Sequence, residues 1–457
     1  LETQAFRVRY RPDPGGVPII GGDPFALPTH RSLVEPNTPL TQFDGLLSRA
    51  EVEQRIDENT QVRVGVQRQS ALQDEWATYP IGFEQDGRTF DRVPTHFTQH
   101  SEDLAVQAGL EWKPRTGEIQ HDFVLGTDLR QEWVGWRMGA AADPFPIDVY
   151  EPKYGTPPPP VIEPSGPDNA WTYGDAGLYL NYLTRWTPAF RTVIGGRLDA
   201  YRQTSKAPGV DQNKGEVAPS GRFGFLYDWS RSFTTYASVS RGFWPVLGVS
   251  ADAKLLAPER SVGADLGARF VARHDVVTMD VGVFEIWNRN ISVPDPNHPE
   301  FQVQRGASVS RGLEVFVTSR PARFLRLLAS YTLADAHVTE DPDPRLVDSW
   351  LPLVARHSGG GWIFADVPVA QNTVEIGCGG RAVGERHLDD AGVSRTPTVI
   401  PGYVRADVSA GYRTGSGAVR VFVQNVTGTR YVQSGNNASQ IMFGAPRTVL
   451  ATVSAAL

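Results

Sequence analysis

One pattern recurs along this chain: apolar and polar residues alternate with a period of two. In PGYVRADVSAGYR (401–413), Val404, Ala406, Val408, Ala410 and Tyr412 alternate with Tyr403, Arg405, Asp407, Ser409 and Arg413. A helix would spread those charges around its circumference, whereas a strand sets them all on one face. WTYGDAGLYLNYLTRW (171–186) repeats the arrangement, with Ala176, Leu178, Leu180 and Tyr182 opposed to Asp175, Gly177, Tyr179 and Asn181. FRTVIGGRLDAYR (190–202) opposes Ile194, Leu198 and Ala200 to Arg197 and Asp199. About eighteen such strands are expected from residue 3 to residue 457, among them 60–70, 102–113, 119–133, 303–318 and 441–457.

The connections between these strands alternate short and long. Segments such as 187–189, 229–231, 319–322 and 414–416 are tight, while 12–40, 71–101, 134–170, 204–215 and 385–400 are long. Eight short and nine long connections joining an even number of strands suit an outer-membrane barrel with periplasmic turns, external loops and both ends on the turn side. No stretch of 18 apolar residues exists, which excludes helical membrane spans and leaves spanning strands open. Net charge is −7 with no basic block, so nucleic acid is not expected as a partner. Cys378 is the only cysteine, which excludes an intrachain disulfide and a cysteine-based metal site.

The apolar face decides between a water-soluble and a membrane barrel. It carries Val, Ala, Leu and Ile, with Trp112, Trp186, Tyr201, Trp229 and Tyr412 near strand ends as expected for aromatic girdles. Cys378 alternates with Val374, Ile376 and Ala382 and belongs to this face as a small apolar residue. The opposite face carries Arg197, Asp199, Asp265, Arg269, Asp280, Glu314, Glu375, Arg381, Arg405, Asp407 and Arg420, which a wet lumen accepts and a dry core does not. One or two water-soluble β-sandwiches would also alternate but leave the loop rhythm unexplained.

Several segments, in this order and spacing, resemble the barrel of TonB-dependent outer-membrane siderophore receptors, in particular the ferric hydroxamate receptor group. The strand pair at 171–202 resembles the family's pair ending in Gly-Arg-x-Asp. TTYASVSRGFWP (234–245) and LAPERSVGADLGARF (256–270) resemble its aromatic-Pro and Pro-Glu segments. Arg311, Gly312 and Glu314 match its Arg-Gly-x-Glu strand. Asn425 and Tyr431 match Asn-x-x-x-x-x-Tyr, and Gly444, Pro446 and Arg447 match the closing Gly-x-Pro-Arg strand. The resemblance implies an all-β, transmembrane, antiparallel up-and-down barrel. About 18 strands are counted, of about 22 in the family, with short periplasmic turns and long extracellular loops. It implies one barrel domain, 1–457, with the N-terminal plug and first strands lacking a counterpart, and an ending at Leu457 where the family ends in an aromatic.

The function so implied is ferric-siderophore uptake across the outer membrane of a Gram-negative bacterium, energised through TonB. The expected partners are the ferric siderophore, outer-membrane lipid and lipopolysaccharide, TonB through the missing N-terminal segment, and the barrel-assembly machinery through the last strand. No cofactor is expected, because iron arrives inside its chelator, and no catalysis. A passive porin-like pore, or a truncated receptor without function, is the alternative.

Candidate ligand contacts are loop and strand-end aromatics, whose flat walls suit a bulky chelate: Trp133, Trp136, Tyr150, Tyr154, Trp171, Phe243, Trp244 and Trp287. The run Pro157–Pro160 is expected to stiffen its loop as an extended polyproline segment. His96 and His100 lie at a loop-to-strand boundary, and no metal site is expected there. The acidic runs Asp341–Asp343 and Asp389–Asp390 lack a Gly-centred calcium loop. No Walker lysine follows Gly195–Gly196 or Gly359–Gly361, and no nucleophile elbow is present.

Overall fold

The computed structural model describes all residues except 11–15, 166–168, 208–209, 247–249, 253, 273–275, 296–301, 305, 342, 389–397 and 456–457. Eighteen long strands run antiparallel in chain order, each paired with its sequence neighbours. The first six are β1 (Glu2–Tyr10), β2 (Thr41–Arg55), β3 (Thr60–Phe83), β4 (Thr89–Trp112), β5 (Ile119–Ala141) and β6 (Asn169–Arg185). Next come β7 (Phe190–Ala207), β8 (Val210–Ser230), β9 (Phe233–Trp244), β10 (Glu259–Ala272), β11 (Val277–Arg289) and β12 (Ala307–Ala322). The series closes with β13 (Leu325–Glu340), β14 (His357–Val369), β15 (Asn372–Val383), β16 (Tyr403–Arg413), β17 (Gly417–Gln424) and β18 (Thr448–Ala455). The expected up-and-down order and strand number hold.

The expected lengths of the long connections do not all hold. Residues 71–83 and 89–101, expected in a loop, continue β3 and β4 to a tip at 84–88. Likewise 134–141 extends β5, and most of 204–215 continues the β7–β8 hairpin. Above the membrane both faces of a hairpin are wet, so stretches such as Gln73-Asp74-Glu75 lose the alternation that marks a strand. Two expected strands start late: β12 at Ala307 and β18 at Thr448, each preceded by a separate short strand (Gln302–Gln304 and Gln440–Phe443). Leu457 lies outside the described residues. The run Pro157–Pro160 carries no helix or strand.

Register settles which face is wet. Val404, Val408 and Tyr412 share one face of β16, with Val404 68% exposed, while Asp407 on the other face is 5% exposed. Cys378 is exposed and pairs with Val408 and Ile363 on the apolar side. On β5 the outward apolar band starts at Phe123, flanked by Trp112 (5.4 Å) and Tyr182 (4.2 Å), and passes Leu125 and Leu129 to Trp133. Ten residues at about 3.3 Å each, tilted about 40°, rise about 25 Å, the height of a hydrocarbon-facing band. Tyr201 departs from expectation. It shares its face with Arg197 and Asp199, and so points inward rather than into a girdle. At the margin, β1 turns Arg7 and Arg9 outward beside Asp44 and Phe6 inward onto Phe43 (5.7 Å).

The inward charges compensate one another in chains across strands. Arg197 on β7 bonds Asp128 of β5 (2.6 and 2.8 Å) and Asp199 (2.7 Å). Arg130 meets Asp103. Arg326 bonds Asp366 (3.2 Å) and Glu375, and Glu375 faces Arg420 (2.9 Å). Arg405 bonds Asp407 (3.0 Å), which also accepts the Asn425 backbone N–H (2.7 Å).

Among the described residues β1 pairs only with β2, and β18 only with β17, so both margins of the sheet are unpaired. The sheet nevertheless curls round on itself at the loop end. Val17 and Ile441 form an antiparallel bridge, and Arg430 donates to the carbonyls of Phe25 (2.7 Å) and Leu27 (3.0 Å). A buried apolar cluster fills this junction: Val17, Leu27 and Leu33 with Phe90, Ile147, Val149, Leu388, Ile400, Val432 and Ile441. It unites four loops and the β3–β4 hairpin. Buried Arg92 ties the same loops together. Its guanidinium lies 4.4 Å over the Phe145 ring, donates to the Phe145 carbonyl (3.0 Å) and the Leu33 carbonyl, and faces Glu35 (3.5 Å). Burial lowers the Arg92 pKa, and Glu35 opposes that shift.

Candidate ligand-binding face at the loop end

The eight candidate aromatics separate into four environments. Trp133 and Trp287 share outward faces with Leu129 and Val262, which places them in the upper girdle rather than on a ligand wall. Tyr150 and Tyr154 serve the roof. Tyr150 stacks under Arg88 (5.6 Å) and its carbonyl accepts from Arg31 (2.9 Å), and the Tyr154 hydroxyl donates to the Ser32 carbonyl (2.6 Å). Trp244 is 71% exposed at the end of β9.

Trp136, Trp171 and Phe243 approach a common wall. Trp136 and Trp171 face inward on neighbouring strands, Trp171 standing across from Val134 and Trp136 from Asn169. Trp171 stacks on Tyr173 (5.8 Å), Tyr173 on Tyr201 (6.0 Å) and Tyr201 on Phe243 (5.9 Å). Four rings thus form a continuous row across β6, β7 and β9. Tyr173 and Tyr201 were not among the expected contacts. Strict counting would have found them, because each sits an even number of positions from the inward residues Asp175 and Asp199.

Polar groups accompany the row. Gln203 pairs with Tyr173 on the same inward face and is 1% exposed, yet its Oε1 has no partner, and neither has the Trp171 indole N–H. A buried polar atom left unpaired calls for water or ligand. Below lies the charged wall of Asp175, Asp199, Arg197, Arg130 and Glu132. Rings with one donor and one acceptor set above fixed charges can bind a large, partly flat, polar molecule without reacting with it.

His96, His100 and Asp343 are engaged by neighbouring groups. Among the described residues no group of three or more His, Cys, Asp or Glu could hold a metal ion. His96 stacks on Trp76 (4.1 Å) and bonds Glu163 (2.6 Å) and Asp74 (3.3 Å), while His100 turns to Glu102 (3.2 Å). Asp343 caps a 3₁₀ turn, Pro344–Leu346. Asp389–Asp390 lie outside the described residues.

The segments that carried the family resemblance have structural roles. The Asn425 side chain knots its loop through Thr429 (2.8 and 2.9 Å) and the Ala445 carbonyl (3.1 Å). Tyr431 stacks on Tyr403 (4.2 Å) and covers Gly444 so closely that a Cβ there would lie 1.9 Å from the ring. Arg447 donates to the Val426 carbonyl (3.1 Å).

Comparison with known proteins extends this. The family model described as TonB dependent receptor-like, beta-barrel matches residues 4–426. A metal-pseudopaline receptor of Pseudomonas aeruginosa is 25% identical over 447 residues, covering 93% of this chain and 61% of the relative. The ferrichrome outer membrane transporter/phage receptor of Escherichia coli K12 is 26% identical, covering 77% of this chain and 48% of the relative. This chain therefore spans about three fifths or less of the length of these relatives. In fold it is similar to the siderophore receptor PiuA of Acinetobacter baumannii (TM-score 0.84, 18% identity, 99% of this chain and 72% of that one). It is also similar to the ferric-catecholate import receptor Fiu of E. coli K12 (TM-score 0.82, 19% identity, 99% and 71%).

Proposed function

The chain belongs to the TonB dependent receptor-like β-barrel family of the outer membrane, and from that membership we propose that it takes up a ferric siderophore-type chelate, energised through TonB. The observation that carries this reading is the inward ring row Trp171–Tyr173–Tyr201–Phe243 with the unpaired Trp171 N–H and Gln203 Oε1 beside it. The chelate lays its hydrocarbon and amide surface on the rings, offers an oxygen to the indole N–H and an N–H to the glutamine. Iron travels inside the chelator and is cargo. On this reading the protein acts as a receptor and transporter, and uptake asks no covalent chemistry of its side chains. Relatives are named for metal-pseudopaline, ferrichrome and ferrioxamine B, which supports a metal chelate as cargo and leaves its identity to experiment.

A porin-like pore requires a closed ring of hydrogen-bonded strands, and among the described residues β1 and β18 are not paired with one another. The test is growth of an iron-starved strain deleted for this locus on a panel of purified ferric chelates, with wild type or Tyr201→Ala and Phe243→Ala supplied in trans. One chelate should depend on the locus, and the double variant should need at least tenfold more of it. Growth on every chelate without the locus would refute the assignment.

A further inference from the structure

Arg381 stands outside the chains of compensating charge that line the lumen. It faces inward on β15, directly across from Arg405 of β16 on one side and from Gly360 of β14 on the other. Like charges set opposite one another on a sheet repel. Asp407 answers Arg405 (3.0 Å), while no carboxylate reaches Arg381 among the described residues. The pair therefore keeps an uncompensated positive charge, and the Arg405 Nε is buried without a partner. Both arginines sit near the loop end of their strands, which finish at Val383 and begin at Tyr403.

Gly360 carries no side chain, so a bay opens between Arg381 and Ser330, which pairs with Gly360 from β13. The bay is a cavity of about 410 Å³ lined by the two arginines, Ser330, Thr332, Ser358 and Trp362. Trp362 lies over Gly379 and stacks beside Phe364 (5.2 Å), which gives the bay an apolar floor. An arginine fork matches the two oxygens of a planar carboxylate. We propose that the bay receives a carboxylate carried at the edge of the chelate, so that the cargo is an acidic chelate rather than a neutral or cationic one; this rests on the reading of the chain as a chelate receptor. Arg381 holds both carboxylate oxygens, the Arg405 Nε–H donates to one of them, and the methylenes that carry the group lie on Trp362.

The test feeds matched chelates to the iron-starved deletion strain carrying wild type or Arg381→Gln. The probes are purified ferric trihydroxamates and ferric tricatecholates, each with one pendant carboxylate or with that group converted to its N-methylamide. With wild type, the acid should support growth at a concentration at least tenfold lower than the amide. Arg381→Gln should raise the requirement for the acid at least tenfold and bring the two forms level. A chelate that depends on the locus equally as acid and as amide overturns the carboxylate site and leaves the receptor reading standing. Equal losses of both forms in Arg381→Gln would assign Arg381 a structural role and overturn the site as well. If no chelate depends on the locus in either form, the receptor reading itself falls and the site with it. Arg381 is exposed to the lumen and makes no ion pair, so the variant should reach the outer membrane in wild-type amounts by immunoblot; the acid-to-amide ratio of wild type decides the matter even if it does not.

Discussion

Val17 and Ile441 exchange both backbone hydrogen bonds, each 2.9 Å long, joining the first loop to the last. The preceding Gly16 has φ +53°, and a Cβ there would lie 2.3 Å from the Ile441 carbonyl oxygen. Gly16→Val therefore opens the junction. Limited proteolysis should cut between residues 16 and 40 several-fold faster, while the far-UV spectrum of the strands stays unchanged. Equal cutting rates would count against a joining role.

Arg92 and Glu35 form a buried pair within the roof. Removing one partner strands the other, at a cost of about 3–5 kcal/mol. Arg92→Met alone should lower the urea midpoint in micelles markedly, and adding Glu35→Leu should restore much of it. Additive losses would show that the two do not act as a pair.

Outward and inward tryptophans should differ in their access to lipid. In bilayers with brominated acyl chains, replacing Trp112 or Trp133 by Phe should remove much of the quenchable emission, and replacing Trp171 should remove almost none. The opposite ranking would invert the barrel's faces.

Asp343 offers a titration. Its carboxylate accepts the Arg345 side-chain Nε–H (2.9 Å) and, more weakly, the Arg345 backbone N–H (3.0 Å), which hold its pKa down at about 2. A depressed folded value means that the turn gains from the charged form above the ordinary carboxylate range. That gain disappears as pH falls through about 2. Carboxyl NMR should give a midpoint near that value in wild type and a higher one in Arg345→Gln.

The membrane-facing half of each strand was legible in the sequence because hydrocarbon on one side and water on the other enforce a period of two. Val404 against Arg405 and Leu198 against Arg197 needed nothing more. The same rule held the information about Tyr201, whose position relative to Asp199 marks it as inward, but its place near a strand end favoured a girdle. Above the membrane the signal fades. The β3–β4 hairpin from Gln73 to His100 is wet on both faces and reads as loop. The roof was illegible for another reason: Val17, Phe90, Ile147 and Ile441 are single apolar residues in polar stretches, and only tertiary contact makes them a core. Of the expected ligand contacts, Trp171 and Phe243 reach the inward row, while Trp133 and Trp287 demonstrate that an aromatic at a strand end is silent about which side it serves until its parity is counted.

The Val17–Ile441 bridge works as a calliper. It is fixed in water, beyond the reach of lipid, yet it sets how far apart the bare margins of β1 and β18 stand inside the bilayer. Unsatisfied peptide groups along those margins are intolerable in hydrocarbon. A strand laid against either margin would have to fit a circumference already gauged from outside. One hairpin too many would have to burst the roof, and one too few would leave a cleft that the roof prevents from shutting.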